Sequence, residues 1–437
     1  MLWQRIEEQK SISINRISVD WAEAVSFYRF LNNERVKLDE VIESQIERFE
    51  LTQVKRHVLA VNDTTSINLQ RHLGRLKEEA LGYIGGGAGK HIGFHLHPTL
   101  ILAAENFHHL GFGSIQVWVR EKVESSRKAG YKQLAVEEKE SYKWIRAAEE
   151  TKQNLPLAEM LTLIGDREAD CYEEFVRVPD ERTHLLVRSC QNRRLADGGN
   201  LYERLSEQTV VGEYEIKVEA DNRARRAARV AKIEVRFGAV EIAAPAGFRG
   251  AAKSVCLQVV EARERAAPVG VEPILWRLLT THAVRSYGDA RTIIGYYRQR
   301  WRIEEVFRVL KRQGLDIESS AMEAIESIKK LSVIALSVAL RTVQLTKNRT
   351  GGEQKLKEVF SEAEINCLKQ VNAKVEGRTE KQRNPHQPDE IGYGAWIIAR
   401  LGGWKSYESQ RPPGVITMKR GLLRFETILY GYSLTCV

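Results

Sequence analysis

Two short apolar runs, VLAV at 58–61 and MLTLIG at 160–165, constrain this 437-residue chain more than any other feature. Runs of four to six aliphatic residues bounded by polar ones predict strands buried on both faces, since they are too short for core helices. VLAV continues through Asn62 into Asp63, Thr64 and Thr65, and MLTLIG is followed directly by Asp166. Each strand therefore delivers a carboxylate at its end. The same texture recurs at HPTLILAAENF, SIQVWVR and THLLVRS, while WAEAVSFYRFL, VIESQIERFEL, EKESYKWIRAAEE and CYEEFVRV space apolar residues as helices do. The fold class that follows is α/β.

From Gln191 to Pro273 the pattern changes to alternation (TVVGEYEIKVEA, VAKIEVRF, VEIAAP, VCLQVV), which predicts an antiparallel β insertion. It holds Arg223, Arg225, Arg226, Arg229, Lys232 and Arg236, with little acid nearby in sequence. The run is either an exposed face or a phosphate contact. After WRLLTT a long helix is expected, with Ser286 or Asp289 as N-cap and Gly314 as the stop; ESIKKLSVIALSVALRTVQL is a second. AWIIARLGGW and RPPGVITMKRGLLRF read as shorter helices near the end.

Composition excludes several classes. The longest apolar stretch, around Leu331 to Leu340, meets Arg341 before reaching the roughly 18 to 20 residues that span a bilayer. The opening MLWQRIEEQK is charged, so no secretory signal is visible and a cytoplasmic location is expected. Cys171, Cys190, Cys256, Cys367 and Cys436 are scattered without a CxxC pair, against a zinc ribbon or a disulfide framework. GYIGGGAGK departs from a phosphate loop, because Ile84 breaks the spacing and His91 stands where Ser or Thr is required; a flexible turn is expected there. His91, His95 and His97 are not expected to hold a metal, and His97 reads as a packing or hydrogen-bonding residue. A formal charge of +9 makes a polyanionic partner plausible, and placement of the charge must decide.

That placement is densest in YYRQRWRIEEVFRVLK, residues 296–311. At about 100° per residue, Tyr297, Arg300, Glu304 and Lys311 fall on one stripe of a continuous helix, beside an apolar face of Tyr296, Ile303, Val306, Phe307 and Leu310. One reading is a solvated face with an Arg300–Glu304 ion pair. The other joins Glu304 to Asp63 and Asp166. Three carboxylates could hold two divalent ions about 3.5 to 4 Å apart for in-line displacement at phosphorus, and hard oxygen ligands select Mg²⁺ or Mn²⁺. A strand-end Asp also commonly caps a turn, and Glu305 is the rival for the third position.

The spacing Tyr297-x2-Arg300-x3-Glu304-x6-Lys311 resembles the Tyr-Arg-Glu-Lys motif of the insertion-sequence-four family of bacterial DDE transposases. VLAVNDTTSI, IGDREAD, EKESYKW, WRLLTT and ARLGGW also resemble family segments in the same order, from about Lys10 to Phe425. The resemblance implies a ribonuclease-H-like core at 56–190 and 274–346, the β insertion at 191–273, a helical remnant of an N-terminal DNA-binding region at 1–55, and a helical dimerisation region at 347–437. It implies Mg²⁺- or Mn²⁺-dependent cut-and-paste transposition through a DNA hairpin. Asp63, Asp166 and Glu304 would be the catalytic, two-metal triad. Tyr297, Arg300 and Lys311 would grip phosphates, Trp276 would stack on a flipped base, and Arg167 and Arg188 would stand at basic positions nearby. Implied partners are transposon ends, target DNA and a second copy of the chain. Cys190 stands where a basic residue is expected. The family carries further residues before the point matching Met1, so a truncated, non-catalytic inhibitor of transposition is the alternative.

Overall fold

The computed structural model describes the chain except residues 1, 10, 77–81, 86–90, 121–133, 221–226, 314, 352–353, 408–409 and 436–437. The glycine-rich turn beyond Gly85, the expected helix stop at Gly314, Cys436, and Arg223, Arg225 and Arg226 lie outside the described residues.

Among the described residues, ten strands form one sheet: β1 (His57–Asn62), β2 (Thr65–Asn68), β3 (Gly93–Ala103), β4 (His109–Trp118), β5 (Met160–Gly165), β6 (Thr183–Arg188), β7 (Gly212–Val218), β8 (Arg229–Ala243), β9 (Ser254–Arg265) and β10 (Leu275–Thr280). β4, β3 and β1 are antiparallel neighbours, and β1, β5 and β6 run parallel. β10, β9, β8 and β7 continue outward from β6, each antiparallel to the last. The alternating segment thus extends the same sheet. β2 follows β1 across Asp63 and Thr64 and pairs with the other half of β3.

Helices α1 to α4 (Leu2–Gln9, Ile14–Ile17, Trp21–Asn32, Leu38–Glu47) precede the sheet. α5 (Tyr142–Asn154), α6 (Tyr172–Arg177) and α7 (Leu201–Glu207) lie between strands. After β10 come α8 (Tyr287–Arg298), α9 (Trp301–Arg308), α10 (Ile325–Lys347), α11 (Glu362–Val375), α12 (Ile391–Leu401) and α13 (Val415–Thr435).

Strand alternation divides the core. Leu59 and Val61 of β1 join Ile164, Leu186 and Leu278 in a cluster with the N-terminal helices and α8 to α10. Val58 and Ala60 turn the other way, with Leu161, Leu163, Leu185 and Val187, against α5, α6 and α7. Burial on both faces is why these strands read as continuous apolar runs. α10 is buried along nearly its whole length, as a helix apolar on all sides must be. Its Lys330 is accommodated because Nζ donates to the carbonyls of Leu31 (3.1 Å) and Asn33 (2.9 Å). A third cluster joins the end of α10 to α11, α12 and α13. Among the described residues, no helix is long and apolar enough to cross a membrane.

Two expectations change. The arginines of the β extension are opposed by acid: Arg229 pairs with Glu264 at 2.8 Å, and Arg236 lies 3.3 Å from both Glu261 and Glu234. Cross-strand pairing of β8 with β9 supplies Glu261 and Glu264 from 25 and 35 residues away, whereas Glu234 is two residues from Arg236 on β8 itself. The helix expected over 286–314 is also not continuous. It breaks at Gln299 and Arg300, where Arg300 N donates to Tyr297 O (3.0 Å) and Arg302 N to Gln299 O (2.9 Å), a tightened turn of three-residue bonds, and Val309–Gln313 widens into a π turn.

Candidate active site

Parallel pairing aligns Val61 with Ile164, and carrying that register two residues further sets Asp63 beside Asp166. Neighbouring strands are about 4.8 Å apart, so the two carboxylates leave adjacent strand ends together. Each is fixed by its own turn. Asp63 Oδ1 accepts from Thr64 N at 2.8 Å, and Asp166 Oδ1 accepts from Glu168 N at 2.8 Å while capping the 3₁₀ turn Arg167–Ala169. Gly165 is required there, since a Cβ on it would stand 2.3 Å from Ala169 Cβ.

α8 and α9 bring the third carboxylate. Ser286 caps α8, with Ser286 Oγ accepting from Asp289 N (3.1 Å) and Asp289 Oδ2 accepting from Ser286 N (3.0 Å); the two candidates for the cap act reciprocally. Beyond the break, Arg300 Nη1 donates to Asp63 Oδ2 at 2.8 Å and Nη2 to Glu304 Oε1 at 3.1 Å. One guanidinium therefore bridges the end of β1 and the first turn of α9. Glu305, the rival position, faces away and pairs with Lys347 at 2.7 Å.

The electrostatics follow from this crowding. Burial, with repulsion from Asp166 and Glu304, pushes the Asp63 carboxyl up to about 6 against the pull of Arg300 and the Thr64 amide. Burial works against the Arg300 charge, and Asp63, Tyr297, Glu304 and Asp166 together outweigh it, holding its pKa above the ordinary value. Hard oxygens that repel one another are the donor chemistry that divalent cations relieve. Among the described residues, however, no three acidic, imidazole or thiol side chains stand close enough to hold an ion in this arrangement.

The remaining stripe residues divide. Tyr297 is buried at 2% exposure. Its ring meets half-buried Trp276 edge to face at 5.4 Å, and the Arg300 and Arg188 charges partly offset the burial that raises its hydroxyl pKa. Arg188 also donates to Leu275 O at 2.9 Å, and burial lowers its pKa. Tyr296 lies apart, against His57 at 5.4 Å. Lys311 does not join the carboxylates: its Nζ donates at 2.8 Å to the carbonyl of Ser66, on β2 three residues past Asp63, and lies 3.3 Å from Glu318 in the 3₁₀ turn Ile317–Ser319. Arg167 is exposed on the turn after Asp166, and the exposed Cys190 donates its backbone N–H to Asp170 at 2.8 Å.

Four neighbours were not singled out from sequence as parts of this site. Thr64 Oγ1 meets the fully buried His97 at Nδ1, 2.9 Å away, so His97 braces the Asp63 turn, a hydrogen-bonding role consistent with its expected one. Lys143 reaches Glu168 at 3.0 Å from α5. Trp301 is 53% exposed with the Arg300 guanidinium 4.3 Å from its ring. Its place immediately after Arg300 in an otherwise charged stretch was the available signal; Lys143, Thr64 and His97 gave none at the level of spacing.

Residues 143–340 match the family model of the transposase DDE domain. The match takes in Asp166, Trp276, Tyr297, Arg300, Glu304 and Lys311, and begins after Asp63. The chain is also similar to a solved piggyBac transposase synaptic complex with hairpin DNA, at 8% identity and a TM-score of 0.41; the likeness covers 96% of this chain and 63% of that one. The family match, over the segment that carries two of the three site carboxylates, supports a DDE transposase.

Proposed function

We propose that the protein is a DNA transposase of the insertion-sequence-four kind, built on a ribonuclease-H-like core. It cuts and rejoins strands at one site made by Asp63, Asp166 and Glu304. The observation that carries this reading is the convergence of those carboxylates from two adjacent parallel strand ends and α9, coupled through Arg300. The strand order β4-β3-β1-β5-β6, with β1, β5 and β6 parallel, supports the core assignment.

The three carboxylates would hold two Mg²⁺ or Mn²⁺ ions, whose chemistry when bound is to activate the attacking oxygen and stabilise the departing one. The chain's own residues supply the rest. Each step forms one P–O bond to a water or a 3′-hydroxyl and breaks the P–O bond opposite, so the same geometry serves nicking, hairpin closure, hairpin opening and joining to target DNA. Arg300 would exchange its carboxylate partners for phosphate oxygens, and Lys311, next to β2, would hold a phosphate further along the strand. Trp276 would support an extruded base, with Tyr297 packed edge to face against its ring; Trp301 offers an exposed aromatic face at the site. Arg167 would meet backbone at the rim. Two copies would assemble around paired DNA ends.

The test uses purified protein and linear duplex DNA containing the sequences that flank its coding region, with Mg²⁺ or Mn²⁺. Strand nicks at fixed positions, followed by a hairpin product, are expected. Absence of any divalent-dependent cleavage on such DNA overturns the reading.

A further inference from the structure

Lys143 is a lysine in a costly place. It is 8% exposed, lies in the first turn of α5, where a positive charge opposes the helix dipole, and has its ammonium 5.4 Å from the ring centres of both Trp118 and Trp144. Its backbone is pinned as well, since Lys143 O accepts from Gln116 Nε2 at 2.9 Å. The stem is therefore fixed while the charged end points at the rim.

Its carboxylate partners are unequal. Glu140 stands 3.8 Å away and is already paired with Arg120, whose Nε donates to it at 2.8 Å. Glu168 is the close partner at 3.0 Å, yet its side chain is 67% exposed. Glu168 is two residues past Asp166 and donates its backbone N–H to that carboxylate. The ammonium also acts electrostatically on His97, which braces the Asp63 turn. A cation thus stands beside the turn that follows β5, on the sheet face covered by α5, whereas Arg300 approaches with α8 to α10 from the other face. Among the described residues, its closest counter-ion, Glu168, is on an exposed turn and free to leave.

We propose that Lys143 is a further phosphate-binding residue of the site, and that Glu168 holds its ammonium in place until a DNA phosphate replaces the carboxylate. The proposal rests on the DNA-processing reading above. It predicts opposite effects for the two members of one ion pair, which a purely structural salt bridge does not.

The experiment measures binding of a short blunt-ended duplex DNA by fluorescence anisotropy across a range of KCl concentrations, without divalent ions, for the full chain and the variants Lys143→Met, Lys143→Arg, Glu168→Gln and Lys143→Met/Glu168→Gln. Lys143→Met is expected to weaken binding roughly three- to tenfold and to reduce the slope of log K against log salt by about 0.9, the value for one lost phosphate contact. Lys143→Arg should restore most of that slope. Glu168→Gln, an exposed change that leaves the fold intact, should tighten binding, and the gain should vanish in the Lys143→Met background. An unchanged slope in Lys143→Met, or a Glu168→Gln gain of the same size with and without Lys143, overturns the proposal while leaving the transposase reading standing. Failure of the unaltered protein to bind duplex DNA at low salt sinks the reading itself.

Discussion

Acidification should destabilise this protein, and two enclosed imidazoles set the size of the effect. His97 and His109 are buried, and burial, aided by Lys143 for the first and by Arg302, Lys347 and His108 for the second, pulls each down to about 3. In the unfolded chain a histidine titrates near 6.5. Between pH 7.5 and 5.0 the unfolded state therefore takes up protons that the folded state refuses, and stability falls as pH falls. Each ring costs about 2 kcal/mol over that interval, a figure set by the unfolded value as long as the folded one stays below about 4. His282, half-buried and held down to about 3 by burial and by His184 and His57, and His95, held down to about 4 chiefly by burial, add to the loss, while the buried Glu174, raised well above the ordinary carboxylate range by burial and by Asp170, offsets part of it. Asp63 works the other way: raised to about 6, it gains a proton in the folded state first and returns about 1 kcal/mol. The net loss from His97, His109 and Asp63 is about 3 kcal/mol, a large part of the 5 to 15 kcal/mol that holds most proteins folded. Urea unfolding followed by tryptophan fluorescence at the two pH values and constant ionic strength should show the midpoint falling by about 1 M at pH 5.0 for a slope near 3 kcal/mol/M. His109→Gln should lose about 2 kcal/mol less than the parent over the same interval. A midpoint unchanged or higher at pH 5.0 would refute the reasoning.

Arg300→Gln leaves Asp63 facing two carboxylates without its counter-charge, so its carboxyl should rise further and the variant should regain stability relative to the parent between pH 7.5 and 5.5; parallel pH profiles would count against the bridge. Gly165→Ala forces a Cβ to 2.3 Å from Ala169 Cβ and should cost about 1 to 3 kcal/mol in urea, with recovery in Gly165→Ala/Ala169→Gly; a neutral single variant would contradict the close approach. Asp170→Asn breaks the enclosed pair with Arg193 at 2.7 Å, and a loss of about 3 to 5 kcal/mol is expected by the same assay, whereas a surface-like loss below about 1 kcal/mol would remove Asp170 from the core.

Much of the site was open to reading because its parts are local. Apolar runs ending on Asp63 and Asp166 are strand signals that need no partner, and Ser286 followed by Asp289 is a helix start on its own terms. What escaped was set by contacts across the chain. No glycine or proline marks the break at Gln299 and Arg300 or the π turn at Val309–Gln313 that carries Lys311, so a continuous helix was the local reading. Lys311 finds Ser66 and Glu318, and Arg229 finds Glu264, only once distant strands and turns are assembled. Arg300 was expected either to pair with Glu304 or to meet phosphate; its second partner, Asp63, lies 237 residues away and joins the two readings in one side chain.

Divalent-dependent cleavage of duplex DNA by single-carboxylate variants tests the central claim most directly. With DNA from the flanks of the coding region as substrate, Asp63→Asn, Asp166→Asn and Glu304→Gln should each fall to background while still binding that DNA, and Glu305→Gln, whose carboxylate is engaged by Lys347, should cleave at the parent rate. Cleavage by Glu304→Gln at the parent rate, or its loss in Glu305→Gln instead, would contradict the assignment of Asp63, Asp166 and Glu304 to one site.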